Sequence, residues 1–285
     1  MNIPPTVTTG LTTAAAILIT MALIAVVETA VPLHHRGRSN RAHLWPNLAL
    51  TFITFATNIA FNAVVIAALL WLQAREVGLL HLLALPVAVA TVVVVFVLDF
   101  STYVAHVAMH TSPALWRFHR VHHSDRAVDV TTTIRQHPGE GVIRYAFMGA
   151  FAAALGATPA AFAIYRVWSV LHGLIEHANV RVPRRLDSRL SLVLTTPNMH
   201  KVHHSGFQRE TNTNYGNIFA LFDRLFRTFT PSERGVNVVY GLAGHDEVTT
   251  QSTRGLLAVP FRHIPAPPTT TPAPLQEATI RTVAR

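Results

Sequence analysis

Three long apolar runs, at residues 11–33, 47–72 and 77–100, constrain this chain more than any other feature. Each is long enough to cross a bilayer hydrocarbon core of about 30 Å as a helix. A backbone inside lipid must satisfy its own hydrogen bonds, which a helix does within one segment. Composition agrees. Half of the 285 residues are hydrophobic and 13% are charged, where a soluble domain carries about 25%. The first run also invites reading as a signal peptide. It has no charged segment before it, and further apolar runs follow. The second and third runs are separated by a short turn at Gln73, Ala74, Arg75 and Glu76.

The formal charge of +9 does not point to nucleic acid. The basic residues sit at the ends of apolar runs, at 34–41, 117–126 and 181–189, without the compact patch and interleaved aromatics of a nucleic-acid surface. They fit a cytoplasmic face beside anionic lipid. The loop at 34–41 is then cytoplasmic, the N-terminus lies outside, and the third run returns to the cytoplasm near Asp99. With no cysteine in the chain, disulfides, thiolate metal sites and a cysteine nucleophile are excluded together.

A fourth apolar stretch, 142–174, is interrupted at Gly156, Ala157, Thr158 and Pro159. Thr158 as N-cap and Pro159 at the first helical position mark a helix restart. Arms of about fifteen residues are short for full spans, so the sequence predicts a shallow helical hairpin entering from the cytoplasmic side. The chain turns polar after Asn179, and from residue 264 its Pro/Thr-rich composition reads as a disordered tail. The expectation is an all-α polytopic membrane protein with a cytoplasmic-side, histidine-rich helical cap. Its parts are transmembrane helices over 1–98, a histidine region over 99–245 and a C-terminal segment over 246–285.

Histidine occurs 17 times, and its spacing carries the chemistry. His106 and His110 form HxxxH. His119, His122 and His123 form HxxHH, repeated by His200, His203 and His204. Residues three and four apart share a helix face, so each box is expected to present two or three imidazoles to one point. Eight ligands are too many for one ion and suit two, with positions left open for oxygen. Asp99, Tyr103, His106 and His110 fall on one helical stripe, which places Asp99 and Tyr103 among the catalytic candidates. Asp99 is expected to orient a ligating ring, the alternative being an aspartate facing water at a helix end. His177 lies where the boxes converge and is a candidate ninth ligand. His172 is a weaker one, and His137 fits a ligand, an orienting residue or a loop histidine equally. His34, His35, His43, His81, His245 and His263 read as surface or interface residues.

At these residues the sequence resembles the fatty acid hydroxylase / sterol desaturase superfamily, over residues 99–241. The resemblance takes in Asp99, Tyr103, the boxes, Leu115, Trp116 and Arg117, then Arg135, His137, Pro138 and Glu140. It continues through His177, Ala178, Asn179, Thr196 and Pro197 to Asn214, Tyr215, Gly216 and Asn217, and ends with Asp223, Arg224, Leu225 and Phe226. It implies that His106, His110, His119, His122, His123, His200, His203 and His204, together with His177, bind a di-iron centre that activates O2 to hydroxylate or desaturate a lipid. Two departures stand out. Phe222 occupies a position where the family often has tryptophan, and Arg227 one where it often has glycine.

Imidazole suits zinc, copper, iron and nickel alike, so the ligands alone do not choose the metal. Boxes that follow directly on a membrane helix favour oxidation of a lipid that reaches the metals from the bilayer. No dinucleotide or haem-attachment motif is present, so electrons come from an external donor, a separate reductase. A zinc-dependent membrane hydrolase is the alternative. It needs an acidic base, which the boxes lack and only Glu140 or Glu176 offers nearby. A metal transporter fits less well, because its polar residues belong near the bilayer midplane.

Overall fold

The structure is a computed structural model and describes residues 5–35, 41–245 and 247–262. The core of residues 34–41 and the tail from residue 264 lie outside the described residues. Among the described residues the only extended pairings are three isolated β-bridges, Pro32 with Val180, Leu194 with Phe219 and Ser205 with Tyr240. The rest is helix and loop.

Three helices are long and apolar enough to cross a membrane: α1 (Pro5–Ala30), α2 (Leu44–Gln73) and α3 (Val87–Thr111). They display Ile19, Leu23, Val26, Ile59, Val64, Leu70 and Val92 on their outer faces, as helices solvated by lipid do. The third apolar run was expected to be helical from residue 77. The helix starts at Val87 because Pro86 is its N-cap and has no N–H to continue a helical ladder. Glu76 at φ 54° and Gly78 at φ 129° turn the chain in the intervening connection. At its other end α3 does not stop at Asp99. It continues unbroken through His106 and His110, so a membrane helix itself delivers the first box.

The stretch after the second box forms α5 (Pro138–Leu155) and α6 (Pro159–His177). The Thr158 side chain accepts from the Ala161 N–H and Pro159 opens the helix, as the sequence predicted. The hairpin is not shallow. Gly156, at φ 68°, ends α5 against the connection between α2 and α3. A β-carbon there would lie 2.7 Å from the Val77 carbonyl oxygen. Eighteen helical residues rise about 27 Å, which carries the tip to the far end of α2 and α3. The expected arms were too short because their first and last turns are polar. Small residues allow the close approach: Gly141 meets Phe61 of α2, and Gly149 meets Val65. Such packing holds helices together in lipid, where apolar surface alone offers little drive to associate. Val65, Leu69, Val94, Leu98, Met148, Ala152, Phe162 and Tyr165 form the bundle's main core.

The cap is tied down by buried polar groups. Arg135 donates to the Val121 carbonyl, Asn47 Oδ1, Ser124 Oγ and Gln251 Oε1. This joins α2 to α4 (Pro113–His123) and to the C-terminal segment. There, α11 (Thr253–Ala258) seats Leu256 against Leu50 and Val121. Glu28 of α1 accepts from the Val130 and Asn179 N–H groups, so the first spanning helix also reaches the cap.

Candidate metal centre

Four short pieces of chain bring the histidines together. His106 and His110 occupy the last two turns of α3. His119, His122 and His123 lie on α4, which starts anew at Pro113 after extended Ser112. His177 ends α6. His200 and His203 lie on α8 (Pro197–His203), which Thr196 caps by accepting from the Met199 N–H, and His204 is its C-cap. The ring nitrogens form two groups, each with all its ligand atoms within 4.8 Å of one another. His106, His110, His119, His123 and His203 make the first, and His122, His177, His200 and His204 the second.

The HxxHH boxes therefore do not each converge on one point, as expected, but split between the two. On a helix, residue i+4 sits about 40° from residue i, while i+3 sits about 60° away on the other side. The i, i+4 pair His119 and His123 serves the first group while His122 crosses to the second. The i, i+4 pair His200 and His204 serves the second while His203 crosses to the first. The interleaving sets the groups side by side, with the rings of His123 and His204 stacked at 4.7 Å between centroids.

Hydrogen bonding assigns the protons. Backbone carbonyls only accept, so His106 Nδ1 donates to Tyr215 O at 2.8 Å, His203 Nδ1 to Thr213 O at 2.8 Å and His177 Nδ1 to Gly173 O at 2.8 Å. His119 Nδ1 faces Glu140 Oε1 at 3.0 Å, and Arg144 Nε donates to the same oxygen at 2.8 Å. Each of these rings then turns a bare Nε2 lone pair inward. At His106 and His119 two such lone pairs face each other without a proton between them, which calls for a cation. His119 Nε2 faces His106 Nε2 at 3.0 Å and His123 Nε2 at 3.2 Å. His177 Nε2 faces His200 Nε2 at 3.0 Å and His122 Nε2 at 3.1 Å. Buried nitrogens without any partner, at His110 Nε2, His203 Nε2 and His204 Nε2, point the same way. Two nitrogens bound at right angles about 2.1 Å from one ion would be about 3.0 Å apart, so the donor set fits a metal in each group. Burial, and then neighbouring positive groups, push His119, His122, His123, His177, His200 and His204 well below the usual imidazole range. Burial holds His203 at about 4. All are neutral at pH 7, the form that binds metal.

Of the nine imidazoles eight are buried and His110 is partly exposed. The Trp116 ring lies beside it at 4.9 Å and beside His123 at 5.4 Å. Through His110 the first group comes nearest the surface.

The remaining candidates lie elsewhere. Asp99 is buried but touches no imidazole. Its oxygens accept from the Ile218 N–H at 3.2 Å and the Phe219 N–H at 3.0 Å. Sharing a helical stripe with His106 did not bring them together, because the loop after Asn217 inserts its N–H groups at Asp99. Tyr103 bonds Thr228 Oγ1 and packs on Phe222, outside both groups. His137 stands outside both groups, at the end of the loop that leads into α5. It caps α5 by accepting from the Gly139 N–H, and its Nε2 meets Leu257 O. His172 turns to Thr195 O, as expected for a residue five positions from His177. Sequence reading missed Glu140 as the partner of a converging ring and the nearness of Glu176 to two others. Glu176 Oε1 lies 3.6 Å from His177 Nδ1 and 3.9 Å from His200 Nε2. For Glu140 the available signal was its place in the ordered run after the second box.

Comparison with known proteins agrees with this geometry. Residues 91–228, which contain all nine histidines and both glutamates, match the family model described as fatty acid hydroxylase. The chain is 32% identical over 159 residues to the ornithine lipid hydroxylase OlsE of Rhizobium tropici, which covers 56% of this chain and 47% of that protein. It is 29% identical over 160 residues to an alkylglycerol monooxygenase of Caenorhabditis elegans, covering 55% of this chain and 30% of the relative. The alkylglycerol monooxygenase of Danio rerio is 31% identical over 144 residues, 50% of this chain and 31% of its own length. The chain thus spans under half the length of these relatives. No solved structure matches.

Proposed function

We propose that the chain, whose residues 91–228 match the fatty acid hydroxylase family model, is a membrane-bound, O2-dependent lipid hydroxylase with one iron ion in each histidine group. The observation that carries this reading is the convergence of nine imidazoles into two adjacent groups at the end of a helix long and apolar enough to span a membrane. Such a pair of ions supplies dioxygen activation and the removal of hydrogen from an unactivated C–H bond. The protein's own part is geometry. Glu140 and the carbonyls of Thr213, Tyr215 and Gly173 fix which ring nitrogen faces inward, and a buried site excludes water from the reaction.

The substrate is proposed to be a polar lipid, entering past His110 and Trp116 at head-group level. The relatives are named for ornithine lipid and alkylglycerol, which favours hydroxylation over desaturation. Electrons come from a separate reductase, and the positive loop at 34–41 sets the centre on the cytoplasmic side where that donor is found. The zinc hydrolase alternative gains no support, since Glu140 and Glu176 both lie against ligating rings and the relatives are named as oxidising enzymes.

The test is lipid mass spectrometry of cells with and without the gene, grown under labelled dioxygen. The expected result is label in a lipid hydroxyl that requires the gene and is lost in His203→Ala. An unchanged lipid profile contradicts the proposal, and label drawn from water would favour the hydrolase.

A further inference from the structure

Residues 212–216 have no part in the account above beyond two carbonyls, yet three rings of the five-histidine group lean on them. Asn212 Oδ1 lies 3.2 Å from His110 Nδ1. The Thr213 carbonyl takes His203 Nδ1 and the Tyr215 carbonyl takes His106 Nδ1, each at 2.8 Å. These histidines come from two separate helices, so one short segment orients rings that no single helix holds. The four-histidine group makes no such contact. His177 bonds within its own helix, and His122, His200 and His204 have no partner at Nδ1.

The segment is itself clamped. The Asp223 carboxylate accepts from the Tyr215 and Gly216 N–H groups at 2.8 Å each and from Thr228 Oγ1 at 2.7 Å. Asn214, held at φ 56°, donates to the carbonyls of Met199 and Thr230 and accepts from the Thr230 N–H. Gly216 must be glycine, because a β-carbon there would lie 2.6 Å from the Phe219 carbonyl. Asp99 pins the backbone just beyond, at Ile218 and Phe219.

We propose that residues 212–216 are a strap that sets the ligands of the five-histidine site alone, with Asn212 and Asp223 as its positioning residues. An acceptor on Nδ1–H fixes the ring and makes Nε2 a stronger donor. The strap therefore tunes the affinity of one ion independently of the other. This rests on the reading that each group holds one ion.

The test is an anaerobic titration of the purified full-length chain with cobalt(II) as a spectroscopic probe, resolving two binding steps. His110→Ala and His204→Ala assign the steps to the five- and four-histidine sites. Asn212 is exposed at the end of a short helix, so Asn212→Ala leaves the fold intact. It should weaken the five-histidine step by about 10- to 100-fold and leave the other unmoved. Asn212→Asp, which keeps an acceptor, should restore it, and Asp223→Asn should weaken the same step. Equal weakening of both steps, weakening of the step lost in His204→Ala, or no change in either variant would overturn the strap. An unmodified chain that binds fewer than two ions removes the two-ion reading and the strap with it. Two intact steps that Asn212→Ala and Asp223→Asn leave unmoved sink the strap alone.

Discussion

His119 makes the heaviest demands of any single side chain in the centre: its Nδ1 faces Glu140 while its Nε2 faces two other rings. Glu140→Gln keeps the shape but loses the charge that holds the Nδ1 proton. Iron affinity of the five-histidine site should fall about 10- to 100-fold, read by equilibrium dialysis. Unchanged affinity would mean that the carboxylate is only a partner for Arg144. Asp99 calls for a different expectation. It accepts from backbone N–H groups, so Asp99→Asn turns a donor toward donors. It should cost on the order of 1–3 kcal/mol of stability, seen as a lower Tm. A Tm equal to that of the unmodified chain would show that these bonds contribute nothing net. The eight box histidines were legible as a cluster because i, i+3 and i, i+4 spacing is local, and His177 from its place at the end of the hairpin. The acceptors on their outer nitrogens were not, since Tyr215 O lies 109 positions from His106. Helical periodicity put Asp99 beside His106 on paper, and a distant loop took it.

Among the elements, boundaries marked by caps were readable. Thr158 with Pro159 and Thr196 with Pro197 open α6 and α8 where their residue types require. The depth of the hairpin was not readable, because it depends on Gly156 meeting Val77 and Gly78 across the bundle. One departure from the family's pattern also finds its physical meaning here. Arg227 follows the C-cap Phe226 of α10 (Leu221–Leu225) at φ 60°, the left-handed position that glycine fills at no steric cost. Arg227→Gly should raise stability by about 1 kcal/mol without altering turnover. Loss of stability in that variant would show that the arginine side chain contributes more than the strain it imposes. For Phe222, packing against Phe96, Phe100 and Tyr103 accounts for an aromatic residue.

At the scale of the whole molecule, a bundle of long apolar helices carries a cap in which two histidine groups interlock. Topology is the outermost prediction: a reporter at Ser39 should read cytoplasmic and one at Glu76 external. The reverse would place the centre away from cellular reductants. The helical class and the converging box histidines followed from the sequence, because apolar length and histidine spacing are properties of single segments. The division into two groups is a property of how α3, α4, α6 and α8 meet, and needed the structure. It also yields the most direct test. His203 and His204 are neighbours in the chain but belong to different groups. Iron counted per chain in reconstituted protein should be two. It should fall to one in His203→Ala and to one in His204→Ala, with the ion that remains differing in its spectrum between the two variants. A single ion in the unmodified chain, or the same ion lost from both variants, would contradict the two-site centre.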